Sequence, residues 1–173
     1  MNLRKNNKGF TLTELIVSTA ILGIVALAAS AFMIAGTRTY SSVNYTVRLQ
    51  YEAQIAMAQL QEYTVDCTDG IAWDGSTLYI VNGTDVHLFA FDSSAQTLSY
   101  AKTVKADELN VPASSYSLAA EHITSMDVNL SEGQAEITLQ MQRNTKTYSA
   151  TQLIALRNRP EFANSWTQLE NKI

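Results

Sequence analysis

The chain has 173 residues, 12 Lys and Arg against 16 Asp and Glu, a formal charge of −4, and a single cysteine, Cys67. An acidic balance argues against the broad basic surface that nonspecific nucleic-acid binding requires. One cysteine cannot close an internal disulfide, so Cys67 is read as a buried apolar residue rather than as an intermolecular partner.

The first residues are basic, with Arg4, Lys5 and Lys8 and no acid. Leu15 to Ala35 then runs 21 residues without a charge, proline, asparagine or glutamine. At ~1.5 Å per residue this helix is about 31 Å long, enough for a hydrocarbon core of ~30 Å. Positive charge precedes the segment, so residues 1–9 are expected in the cytoplasm, with the C-terminal bulk outside and a single pass between. Glu14 sits at the head of this segment. A carboxylate there costs roughly 2.5–3.5 kcal/mol at a bilayer centre and calls for a functional partner. A plain membrane anchor has no use for it. The other alternative is a conventional signal peptide cut after Ala31, in Ala29-Ser30-Ala31, with a secreted ligand-binding β domain behind it. That reading needs an apolar stretch of about 7–15 residues, and here the stretch is longer and its front holds Thr11, Thr13 and Glu14.

Lys8-Gly9-Phe10-Thr11-Leu12-Thr13-Glu14-Leu15-Ile16-Val17 resembles the N-terminal signal of type IV pilins and pseudopilins. The resemblance implies that a membrane-embedded prepilin peptidase cuts after Gly9, N-methylates the new terminus Phe10, and leaves the apolar segment on the mature subunit. It also implies that Glu14 sets axial register against the Phe10 amine of a neighbouring subunit. Thr13 replaces the aliphatic residue common before the glutamate, and Ala31 stands where many members have a helix-bending proline. The partners implied are prepilin peptidase, other pilin or pseudopilin subunits, and the membrane with its assembly platform.

The chemistry suits those residues. Gly9 lets the backbone approach catalytic groups closely. After cleavage the Phe10 ammonium and the Glu14 carboxylate offset each other's cost in lipid, and a buried polar pair serves best as a register device. Four residues apart, the two could also pair within one helix. Thr19, Gly23, Ala26 and Ser30 form a stripe of small residues over which helices can pack closely. Gly23 and Gly36 are its weak points, at ~1 kcal/mol each relative to alanine.

Beyond Gly36 the pattern stays helical to about Thr64, giving ~55 residues and about 80 Å from Phe10. Tyr40, Val43, Val47, Tyr51, Gln54, Ala58 and Gln61 step by three and four, widened by Ile55, Met57 and Leu60. They predict the buried face, leaving Arg48, Glu52, Gln59 and Glu62 to water. From Gly70 the period becomes two. Strands are expected at Thr77–Val81, Val86–Phe91 and Thr97–Val104, with a turn at Asn82-Gly83-Thr84-Asp85. Lys105–Leu118 reads as a loop. Ile123–Leu130, Gln134–Gln142 and Lys146–Leu156 form a second strand group, with turns at Ser131-Glu132-Gly133 and Arg143-Asn144-Thr145. The expected fold is α+β, a long N-terminal helix packed on an antiparallel sheet head. Its parts are a leader (1–9), a transmembrane helix (10–36), an amphipathic helix (37–66), a β-rich head (67–160) and a tail (161–173) carrying Trp166 and Leu169. The ending Leu156-Arg157-Asn158 resembles the larger minor pilins and pseudopilins: the J-type subunit of type II secretion, the W-type minor pilin and their competence counterpart.

No catalytic set stands out, and neither a cofactor nor a small-molecule substrate is expected. His87 and His122 have no cysteine or carboxylate at ligand spacing. Asp66, Asp69, Asp74 and Asp85 lack the spacing of a calcium loop and read as turn residues, although an anchored sugar or calcium hydrolase would use such carboxylates. Losing Arg4, Lys5 and Lys8 takes the charge from −4 to −7. That leaves Lys102 with Lys105, or Arg157 with Arg159, as the only candidate basic patches, and no specific nucleic-acid binding is expected.

Overall fold

The computed structural model describes residues 9–105, 109 and 111–173. Arg4, Lys5 and Lys8 of the expected leader, and part of the stretch read as a loop over Lys105–Leu118, lie outside the described residues. The chain divides into two compact units at Val43 and Asn44.

Helix α1 spans Leu12–Val65. In the first unit every described residue from Gly9 to Ser41 is exposed, although the sequence over residues 15–35 is uncharged and mostly apolar. This helix is long and apolar enough to cross a membrane.

Among its described residues the second unit holds the rest of α1, nine strands, a 3-10 turn at Ala113–Ser115 and a short helix. The strands are β1 (Gly70–Trp73), β2 (Thr77–Asn82), β3 (Asp85–Asp92), β4 (Thr97–Val104), β5 (Ser117–Ala120), β6 (Ile123–Ser131), β7 (Gln134–Arg143), β8 (Lys146–Ala155) and β9 (Glu161–Ala163). They form a six-stranded sheet, ordered β5-β4-β3-β2-β1-β9, and a three-stranded sheet, β6-β7-β8. Neighbours are antiparallel except β1 and β9, which pair in parallel. The α+β class holds, with two sheets in the head.

The turns follow from their residues. Asn82 pairs with Asp85 across Gly83-Thr84, and Gly83 takes the positive φ of 62° that a two-residue hairpin needs. Gly133 (φ 76°) and Asn144 (φ 54°) do the same between β6, β7 and β8. Three strands escape the sequence pattern. β1 and β9 have four and three residues, and β5, also four, begins inside the stretch read as a loop. None is long enough to display a period of two.

The buried face of α1 keeps the expected Met57 and Leu60 and is otherwise a correction. Leu49, Ala53, Ala56, Met57, Leu60 and Thr64 are buried, whereas Tyr40, Val43, Val47 and Tyr51 of the expected stripe are 74%, 56%, 54% and 63% exposed. At 100° per residue the two sets lie on opposite sides of the helix. The small Ala53 and Ala56 let the strands approach closely, an effect that counting large apolar residues overlooks. Leu49 to Leu60 pack with Ile71, Leu78, Ile80 and Phe89 of the larger sheet and with Ile123, Ile137 and Leu139 of the smaller one.

A second core lies on the other face of the six-stranded sheet, where Val81, Val86 and Leu88 meet Trp166 and Leu169 of α2 (Trp166–Glu170). Ser165 caps that helix by accepting from the Gln168 amide at 3.3 Å. Gly70 leaves room for the tail, since a Cβ there would lie 2.4 Å from Leu169 Cδ1. Lys172 Nζ donates to Phe162 O at 2.6 Å, occupying a backbone acceptor of the edge strand β9.

Candidate assembly site at the head of the N-terminal helix

Thr11 is the residue before the first helical position, and Glu14 stands three residues after it. The Thr11 hydroxyl accepts from the Glu14 amide at 3.3 Å. In return the Glu14 carboxylate accepts from the Thr11 amide at 2.9 Å and from its hydroxyl at 2.7 Å. This is a capping box, which satisfies two backbone donors that a helix start leaves unpaired. The pattern Thr-x-x-Glu was present in the sequence, and the reading of Glu14 as a register residue passed over it. With the chain continuous through Phe10, the Phe10 nitrogen is a peptide amide, and the Glu14 carboxylate pairs with Thr11.

The small-residue stripe lies on bare helix. Thr19, Gly23, Ala26 and Ser30 are all exposed, and a Cβ at Gly23 would meet nothing within 4 Å. The Thr19 hydroxyl donates to Leu15 O (3.0 Å) and Ile16 O (2.9 Å), and Ser30 donates to Ala26 O (2.8 Å). Thr37, Thr39 and Ser41 bond back in the same way to Met33, Ala35 and Thr37. These polar side chains are thus satisfied within the helix itself, as a hydrocarbon environment requires. Gly9 and Phe10, the residues of the expected cut, are both exposed.

The remaining sequence candidates fall in the second unit and do not come together. Asp66 pairs with Arg157 at 2.6 Å, an exposed contact of small energetic weight. Asp69 accepts from Thr68 and Gly83, and Asp85 pairs with Lys102. Burial pushes the Asp74 carboxyl up, but donors on Thr77, Ser76 and Tyr79 outweigh it and hold Asp74 below the ordinary carboxylate range. Each aspartate therefore serves a turn or a surface pair. Cys67 is fully buried, and burial lifts its thiol to about 12, out of reach of thiolate chemistry. Glu52, expected in water, is half-buried between His122 (3.3 Å) and Arg143 (3.8 Å). Asn158, beside Arg157, donates to Cys67 O at 3.1 Å and ties the end of β8 to the end of α1.

The family model described as the prokaryotic N-terminal methylation motif matches residues 4–30, a stretch that contains the cut site, the capping box and most of the bare helix. The chain carries a type IV pilin-type N-terminus. This motif is of the kind that type IV pilin-like processed subunits carry, and the helix behind it is long and apolar enough to cross a membrane. No curated protein and no solved structure matches the chain. The likeness to pilins therefore rests on residues 4–30.

Proposed function

We propose that the protein is a minor pilin or pseudopilin of a type IV pilus, a competence pilus or a type II secretion pseudopilus. Prepilin peptidase cuts it after Gly9 and methylates Phe10. It then enters a filament through its N-terminal helix, having first crossed the inner membrane once with its N-terminus inside. The supporting observation is the Thr11–Glu14 box at the head of a bare apolar helix, inside the matched methylation motif. In this reading residues 1–9 are the leader, 10–36 the filament-core helix, 37–66 its amphipathic continuation, 67–160 the head and 161–173 the tail. Minor rather than major status is supported by the Leu156-Arg157-Asn158 ending. Thr19, Gly23, Ala26 and Ser30 supply the close-packing face between copies. Glu14 leaves Thr11 for the Phe10 amine of a neighbour once cleavage has created that charge.

Mass spectrometry of the mature N-terminus tests the processing step. N-methyl-Phe10 is expected, and a terminus at Phe32 would sink the reading in favour of a conventional signal peptide. For the docking step, Glu14→Ala should insert in the membrane at parental levels and be lost from filaments. Normal incorporation of that variant would refute the register role.

A further inference from the structure

His87 is the one buried titratable residue of β3, 7% exposed in a sheet otherwise lined by apolar side chains. Its Nδ1 lies 2.9 Å from the Tyr100 hydroxyl of β4. Over this pair lies the Tyr63 ring of α1, 4.3 Å from His87 at an interplanar angle of 24° and 5.2 Å from Tyr100 at 12°. Phe89 closes the group at 5.1 Å from Tyr100. The last turns of α1 are thus held to the six-stranded sheet by a flat aromatic stack with a histidine in it.

We propose that the Tyr63–His87–Tyr100 stack is an acid-released latch between the end of α1 and the six-stranded sheet. The neutral imidazole suits the site, because one ring nitrogen pairs with the Tyr100 hydroxyl and the ring offers a flat face to Tyr63. A proton taken from solvent makes it a cation in a site with little water. The charged and titratable groups around it are Tyr63 on α1, Tyr100 and Lys102 on β4, and Asp85 on its own strand, with Glu62 of α1 acting on its partner Tyr100. From β2 the residue in register is Ile80, which offers no charge. Lys102 is in register with His87 on the other side, although its 2.7 Å pair with Asp85 blunts it. Burial first, and Lys102 second, hold the imidazole below its ordinary value against the opposing pull of Asp85. A histidine depressed on folding contributes stability that is present above its unfolded value of about 6.5. That contribution is lost as pH falls from there toward the folded value. Opening the stack lets water reach the imidazolium, so acid favours the unlatched form.

The test is hydrogen exchange of the Leu60–Val65 amides in the full chain held in detergent, corrected for intrinsic exchange, between pH of about 7.5 and about 5. Protection should fall by up to about tenfold per pH unit below about 6.5. His87→Phe keeps a flat ring without the charge, and its protection should stay level across the range. Lys102→Gln is a surface change that weakens the electrostatic part, and it should make the acid loss shallower. Parental protection that persists to the acid end, an undiminished loss in His87→Phe, or a loss in Lys102→Gln as deep as the parent's would each overturn the latch.

Discussion

The two stretches of α1 invert the usual relation between apolarity and burial. Residues 12–41 are mainly apolar and not one is buried, whereas residues 49–64 are mixed in character and bury six side chains. Burial in this chain follows the availability of a partner surface, not the greasiness of the segment. The second stretch repeats the lesson across its own width, with the small Ala53 and Ala56 against the sheets and the large Tyr51 outside. An apolar side chain left exposed on that scale is a demand for a partner that the single chain does not supply.

The sharpest way to break this comparison is to truncate one side chain from each face of the second stretch. Leu60→Ala should lower the unfolding free energy of the full chain in detergent by ~2–5 kcal/mol, through lost burial and the cavity left behind. Tyr51→Ala, on the outer face, should stay within about 0.5 kcal/mol. Equal losses would mean that the outer face is covered within the monomer. A smaller effect is expected at the second core. Gly70→Ala should cost ~1–3 kcal/mol by pressing on Leu169, and combining it with Leu169→Ala should be less than additive in denaturant titrations. The smallest effect concerns the bare stretch, whose only described anchorage is its own cap. Thr11→Ala should cost ~1 kcal/mol at the helix start, seen as faster amide exchange over residues 12–16 with the head unchanged. No change there would show that the box is idle.

Much of this was legible from residues alone. The basic leader, Gly9-Phe10, Glu14 and 21 uncharged residues give the N-terminal segment its character without any coordinates. The hairpins were equally readable, because Gly83, Gly133 and Asn144 sit where the backbone turns left-handed between runs of alternating residues. What could not be read has physical reasons. Periodicity locates an apolar stripe but cannot tell which of two stripes on one helix meets the sheet. β1, β5 and β9 are fixed by pairing with distant neighbours and have too few residues to announce themselves. The stack at His87 joins positions 63, 87 and 100, which only the fold brings together. The capping box is different in kind. Its spacing was on view, and the attention that Glu14 drew as a membrane charge hid its role as a helix terminator.

The back-bonded hydroxyls of Thr19, Ser30, Thr37 and Thr39 bear on how such subunits come apart. Polar side chains that search for partners act as glue between helices in lipid. Here the hydroxyls are already spoken for, so copies that meet along this helix would be held mainly by the fit of their surfaces. A joint made of shape alone grips when many copies are aligned and lets go of each one singly.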